Sequence, residues 1–377
     1  MAVYNHRFLY ASIANSVMDY DVVIIGGGSA GLALAHKLED DFKVGLFEQK
    51  KAIGTNCHKI INRECLKSYG FDEGVTTFAI NIINFFSPSG CKLQIKSDRS
   101  RGYVINLETL EKELLRTLSK TKLFLDTKVT DIRPGKILAG NAVYGYKVLI
   151  GADGINSPVR RKTSCPVPRV VYCYGEVVGG LKNLLDYCGV IFSNEFAKGH
   201  YGWIEPINDT TAQFGFGAYL GAKNIKDIFN EFMRIHPAFV EYRKENVINT
   251  ISGALPTSMV MRKTSDLFKS ILIGDASGGE PFFGGSLHKN IDEVNMATDV
   301  VRAILTDGAS ISRYEDMFKQ KFAKDFSNQE KIRQKFDQSN DNDIERLFKI
   351  KQTLSGSGLV TSLITDLFKG EHIKNES

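Results

Sequence analysis

Residues Tyr20–Glu48 read YDVVIIGGGSAGLALAHKLEDDFKVGLFE. An apolar run from Val22 to Ile25 breaks into small residues from Gly26 to Gly31, a helical pattern continues to Leu38, and a second short apolar run closes on Glu48. Strand, glycine turn, helix, strand and acid, in this order, describe a dinucleotide-binding unit. Gly26 permits the tight turn, Gly28 lets backbone N–H groups approach a pyrophosphate at the positive end of the helix, and Gly31 allows close packing of helix on strand. Ser29 and Ala30 belong to the same loop. Glu48 lies roughly 20 residues beyond the first glycine, where an acid accepts from both hydroxyls of an adenosine ribose. The plain alternative is a glycine-rich turn in an ordinary α/β domain.

The chain has 377 residues, enough for about two to three domains, and its 43% hydrophobic content is ample for a core. A net charge of +5 is mildly basic, with Lys and Arg spread along the chain rather than striped among aromatics. That argues against nucleic acid and leaves open a weak attraction to anionic lipid or to an acidic electron-transfer protein. Cys57, Cys65, Cys91, Cys165, Cys173 and Cys188 form no CxxC and no cluster with histidine. No metal site is therefore expected, and a reduced, cytoplasmic setting fits. No apolar run approaches the length of about 18 residues that spans a bilayer. The residues before Met18 lack the apolar core of a signal peptide. Met18 directly precedes the first strand, so it is either the natural start or follows a loose extension.

After Glu48 a polar stretch, Gln49 to His58, is too long for a tight turn and is expected to lie against a bound cofactor. Phe78 to Phe86 and Cys91 to Ile95 are β-rich and separated by Ser87-Pro88-Ser89-Gly90, a hairpin signal. Leu107, Leu110, Leu114, Leu115 and Leu118 share one helical face. Leu123 to Leu125, with Lys128 to Ile132 behind it, returns to strand, and Val129 falls beside an adenine if this strand flanks the first two. A buried run, Val148 to Ile150, delivers Gly151-Ala152-Asp153-Gly154, where Asp153 is either a ligand-facing carboxylate or a helix cap. Residues 169–218 alternate like strands and carry the single tryptophan, and Phe229 to Tyr242 reads as a helix interrupted at Pro237. The opening pattern then returns: Ser270 to Ile273 delivers Gly274-Asp275-Ala276, followed by a Pro/Gly loop and a helix starting near Ser286. From Ser312 onward the chain is helical and charge-rich, with Tyr314, Met317, Phe318, Phe322 and Phe326 on one face and a short amphipathic helix at Leu359 to Phe368.

Three glycine–carboxylate stretches, Gly26 to Gly31, Gly151 to Arg160 and Gly274 to Gly285, resemble the three FAD motifs of the flavoprotein hydroxylase fold. Within it, Tyr201-Gly202-Trp203-Ile204-Glu205-Pro206 is similar to the YxWxFP motif of the geranylgeranyl reductase family. Ile251-Ser252-Gly253-Ala254-Leu255-Pro256 is similar to the G-x-(I/L)-P segment of that family. The resemblance implies an α/β, three-layer Rossmann-like FAD domain (18–76, 101–168 and 250–309), an inserted, mostly antiparallel β-sheet substrate domain (77–100 and 169–249) and a helical C-terminal region (310–377). It implies FAD held by Gly26, Gly28, Ser29, Ala30 and Gly31 at the pyrophosphate and by Glu48 and Gln49 near the ribose. Val129 is implied beside the adenine, Asp153, Gly274 and Asp275 along the cofactor, and Gly285, Ser286 and Leu287 at the pyrimidine end. Cys57 is implied over the flavin. The family pattern YVxxR meets Leu107 where the Arg belongs, and Glu205 stands where YxWxFP has Phe.

The implied activity is FAD-dependent saturation of isoprenoid double bonds, as in the geranylgeranyl chains of archaeal-type lipids. Cys57, His58 and His288 are the candidate proton sources, with Cys57 first. Tyr201 and Trp203, two apart on a strand, share a face suited to an apolar chain. There is no second GxGxxG, so electrons are expected from an external donor, NAD(P)H or a ferredoxin-like protein. The expected location is cytoplasmic, with peripheral contact at the membrane surface left open. The alternatives are a monooxygenase or halogenase of the same fold, whose WxWxIP motif YGWIEP also partly resembles, and a non-catalytic flavin- or lipid-binding protein.

Overall fold

Val22, Val23 and Ile24 are all fully buried in the first strand, Met18–Ile25, because both of its faces are covered. The computed structural model describes residues 18–100, 102–181, 186–219, 224–239, 242 and 246–352. The first strand pairs in parallel with Val44–Phe47 on one side and with Ala142–Gly151 on the other. Lys122–Phe124 extends the sheet beyond the former and Ser270–Leu272 beyond the latter, both in parallel. Successive residues face opposite layers. Val22, Ile24, Leu46, Val148 and Ile150 pack under the helices Ser29–Leu38, Leu107–Thr117 and Leu287–Asp307. Val23, Ile25, Phe47 and Leu149 pack on the antiparallel meander Val129–Arg133 and Lys136–Ala139. This is the three-layer Rossmann-like arrangement expected from the sequence.

The strand flanking Val44–Phe47 is Lys122–Phe124, which overlaps the expected run Leu123 to Leu125, and Val129 begins a separate strand behind it. Asp126 adopts φ 50°, so the chain turns there and sends Val129 into the meander, where it is buried against Ala139 in register.

A second, seven-stranded sheet runs in the order Val247–Pro256, Val170–Val178, Thr211–Ala218, Gly202–Asn208, Cys188–Ile191, Ile82–Phe86, Lys92–Lys96. Its pairs are antiparallel except Cys188–Ile191 with Ile82–Phe86. One face buries Phe214 and Phe216 under Phe229 and Phe232 of a helix, Ile225–Ile235. That helix begins earlier than its apolar periodicity indicates, because the Asn224 side chain accepts from Lys226 N at 2.9 Å and caps it. A small third sheet, His58–Ile61, Gly102–Asn106 and Thr76–Ile80, stands between the two large ones.

Tyr314, Phe318, Phe322 and Phe326 of the helix Arg313–Gln338 pack onto the first domain, as their spacing predicts. Asp341–Gln352 follows. Residues 1–17, Arg101 and the amphipathic stretch Leu359–Phe368 lie outside the described residues. Strand Thr76–Ile80 belongs to the small sheet and Val247–Pro256 to the seven-stranded one. We keep the domain limits at 77 and 250 as a proposal, with these two strands crossing them.

Candidate cofactor and substrate site

The three glycine–carboxylate turns meet at the carboxyl ends of the parallel strands, where open α/β sheets bind ligands. Gly26 has φ 108°, and a Cβ there would lie 2.2 Å from Ala152 O; at Gly31 it would lie 2.0 Å from Gly26 O. These two positions accept only glycine, and the result is a bare backbone turn at the head of Ser29–Leu38. Glu48, half-buried at the end of its strand, accepts from Gly27 N and Lys50 N, each at 2.8 Å, while Gln49 beside it is exposed. Ile273 N donates to Gly151 O at 3.0 Å. Gly274, at φ 66°, sets the third turn against Ala30. Arg160, buried, donates from Nη1 to Ala276 O at 3.0 Å, tying the second turn to the third.

The cap of the short helix Pro158–Lys162 is Ser157, which accepts from Arg160 N at 2.8 Å; Asp153 supports its first turn, Oδ2 accepting from Val159 N at 3.0 Å, while Oδ1 is buried with no hydrogen-bond partner among the described residues. Burial pushes its carboxyl up. Asp275 is also raised by desolvation, opposed by Lys289 and Lys59. It faces Gly285, where a Cβ would lie 2.9 Å from its Oδ1. Ser286 caps the helix Leu287–Asp307, accepting from Lys289 N at 3.3 Å, and Leu287 is buried.

A residue that the motifs do not reveal sits at the head of the first helix. Glu111, 3% exposed, accepts from Ser29 N at 3.2 Å and from Thr55 Oγ1 at 3.4 Å. Desolvation pushes its carboxyl up to about 7 against those donors and Lys50. The chain's own carboxylate thus occupies the N–H group that would meet a phosphate. A signal was available: Glu111 falls in the i+4 slot of the stripe Leu107, Leu110, Glu111, Leu114, all four of them buried.

Across from the turns lies one face of the strand Gly202–Asn208. Tyr201, Trp203 and Glu205 alternate as half-buried side chains on that face, while Gly202, Ile204 and Pro206 are buried on the other. Trp203 covers Gly215, where a Cβ would lie 2.4 Å from the indole, and the His200 ring covers Gly217 in the same way. Gly253 has open space before it. The Tyr201 ring lies 4.1 Å between centroids from that of His200, tilted by 49°. The indole Nε1 of Trp203 and the Nδ1 atoms of His200 and His58 are buried without hydrogen-bond partners among the described residues. The turns and this aromatic face are joined by Gln213, whose Oε1 accepts from His58 N at 3.2 Å while Nε2 donates to Glu205.

The candidate proton sources lie in or beside this seam. Cys57, half-buried, donates to His58 O at 3.3 Å, and burial raises its thiol. His58 is buried and its imidazole is lowered by desolvation. His288 accepts at Nε2 from Asn62 N at 3.4 Å, so it ties the start of the helix Leu287–Asp307 to the segment after His58–Ile61.

Residues 24–86 match the NAD(P)-binding Rossmann-like domain family. A digeranylgeranylglycerophospholipid reductase of Methanosarcina mazei is 26% identical over 335 residues, spanning 80% of this chain and 80% of its own length. The chain resembles the geranylgeranyl reductases along most of its length. A geranylgeranyl bacteriochlorophyll reductase-like protein from Thermoplasma acidophilum superposes with a TM-score of 0.82 at 18% identity, covering 95% of this chain and 98% of its own. CmlS, a flavin-dependent halogenase, has a TM-score of 0.70 at 15% identity over 96% of this chain and 74% of its own, so the fold is shared with enzymes of other chemistry.

Against the geranylgeranyl reductase pattern, two departures acquire structural meaning. Leu107, in place of Arg, packs into the first core. Glu205, in place of Phe, brings a carboxyl to the aromatic face. Lys59 is a further residue without a motif: half-buried, it lies within electrostatic reach of Cys57, Cys173, Glu205 and Asp275, which hold its ammonium up.

Proposed function

We propose that the chain is an FAD-dependent reductase that hydrogenates the isoprenoid double bonds of geranylgeranyl lipids, membrane lipids of archaeal type or their precursors. The observation that carries this reading is a seam with dinucleotide-type turns on one side and the face of Tyr201 and Trp203 on the other. The reductase names of the relatives support it.

On this reading Gly26, Gly28, Ser29, Ala30 and Gly31 hold the pyrophosphate through backbone N–H groups. Glu48 and Gln49 hold the ribose, and Val129 approaches the adenine from the meander. Asp153, Gly274 and Asp275 line the cofactor, Cys57 covers the flavin, and Gly285, Ser286 and Leu287 receive its pyrimidine end, where the helix dipole favours negative charge. The bound flavin supplies hydride chemistry. An unactivated alkene has no carbonyl to polarise, so the protein's work is to hold it dry and aligned within about 3–3.5 Å of the donor. Tyr201 and Trp203 flank the chain for that purpose. The donor of electrons is NAD(P)H or a ferredoxin-like protein, and the protein works from the cytoplasm at the membrane surface. Among the described residues no helix is long and apolar enough to cross a membrane.

The test is to purify the protein, record its flavin spectrum, reduce it with dithionite and weigh a geranylgeranyl lipid by mass spectrometry. Gain of hydrogen in pairs supports the reductase. Oxygen-dependent oxidation of an aromatic, without such gain, assigns the protein to the monooxygenases and halogenases that share its fold. A colourless protein that takes up no FAD makes it a non-catalytic lipid-binding protein.

A further inference from the structure

We infer that Glu205 is the acid that delivers the proton in this reaction, an assignment that rests on the reductase reading. Saturating an alkene requires a hydride equivalent at one carbon and a proton at the other. The first comes from the flavin reduced by the external donor. The second must come from a group that faces the substrate, carries a proton in the working pH range and can be recharged from water.

Glu205 meets these requirements by position. It follows Tyr201 and Trp203 on the same strand face, at the seam with the cofactor turns. It is paired in register with Gln213. That amide donates to Glu205 Oε2 and is itself fixed by His58 N. Glu205 Oε1 has no hydrogen-bond partner among the described residues and is the oxygen left for substrate. In the transfer the O–H bond of the carboxyl breaks and a C–H bond forms. The carboxylate left behind is stabilised by the Lys59 ammonium and takes its proton back from water.

The neighbouring groups are less suited. Cys57 already donates to a carbonyl and is raised, Cys173 is pushed up to about 12 and His200 down to about 3. Glu205 itself is pushed up to about 7 by burial, opposed by Lys59 and Gln213. Its other charged or titratable neighbours are Tyr201 on its own strand, Cys57 on the loop opposite and Cys188 on the adjacent strand. The strands Thr76–Ile80 and Gly102–Asn106, which also pack against this one, contribute only Tyr103, whose hydroxyl is engaged by Arg63 and Glu73.

The test compares wild type, E205Q and E205D, each checked for FAD content and for its carboxyl infrared band in the ligand-free protein. In the wild-type-minus-E205Q difference spectrum, which cancels Glu111, a carboxyl band should titrate near pH 7. The wild-type alkene-reduction rate should fall as pH rises through the same range, because the protonated form is the active one. E205Q should bind FAD and lipid normally yet lose about a hundredfold or more in kcat together with that pH limb, the scale of a lost general acid. E205D should keep the limb at a reduced rate. An E205Q protein that matches the wild type in rate and pH profile overturns the inference alone. A wild type that binds FAD but leaves the alkene untouched overturns the reductase reading, and this inference with it.

Discussion

Glu111 presents a physical conflict. It is a buried carboxylate bonded to Ser29 N, the amide that a pyrophosphate would use. On the proposed reading a negative phosphate and a negative carboxylate compete for that amide, so cofactor binding should be coupled to protonation of Glu111. Its carboxyl is raised, to about 7. The protonated form therefore dominates below that value, and binding should weaken as pH rises through it. With one linked proton, the FAD dissociation constant of the wild type should rise about tenfold per pH unit above pH 7, while E111Q should stay flat between about pH 6 and pH 8. Flavin fluorescence titration measures this without turnover; parallel curves for the two proteins would refute it. The glycine turn and the place of Glu48 at its strand end were legible in the sequence because they depend on local spacing. Glu111 was not, because the acid matters only once Leu107–Thr117 packs its stripe across the head of another helix.

At the scale of elements, the turn at Gly274 is held from two directions. Glu293, fully buried on Leu287–Asp307, accepts from Gly274 N at 2.7 Å and from Ser277 Oγ at 2.5 Å. Lys289 Nζ lies 3.0 Å from it and Lys263 Nζ 3.5 Å, each ammonium almost wholly buried. Removing the central acid leaves the Lys289 ammonium, and Lys263, which burial already lowers to about 7, without their buried counter-charge. Glu293→Ala should therefore cost about 3–5 kcal/mol, the scale for breaking a buried pair on one side. Urea unfolding checks the value, and a change below about 1 kcal/mol would mean that water or a shifted backbone has taken the acid's place. The GDA turn and the helix start at Ser286 were legible from glycine and cap chemistry. The network was not, since Lys263 reaches it from a strand edge that no local pattern connects to the helix. The break between Lys122–Phe124 and the strand carrying Val129 was hidden for a related reason: it is made by the turn at Asp126, where a non-glycine residue takes a positive φ.

Across the whole molecule, one apolar cluster couples the C-terminal helices to the proposed site. Phe348 and Ile344 of Asp341–Gln352 and Phe336 of the preceding helix meet Phe85, Leu93 and Phe192 of the seven-stranded sheet. Phe282, from the loop that follows the GDA turn, completes the cluster. Asp341 fastens the same junction, accepting from Ser193 Oγ at 2.6 Å and Asn194 N at 2.5 Å. Phe348 is fully buried, so Phe348→Ala should cost about 3–5 kcal/mol in stability through lost burial and the cavity left behind. Because Phe282 leans on the same cluster, the loop leading to Gly285 loses support as well. The variant should therefore lose FAD affinity in addition to melting at a lower temperature. A control substitution in the meander, Ile137→Ala, should lower the melting temperature without loosening FAD to the same degree, since Ile137 is buried in the other layer of the first domain. Thermal melts with and without added FAD separate the two effects. Equal losses of FAD affinity in both variants would show that the C-terminal helices only stabilise the fold and do not set the loop at the pyrimidine end.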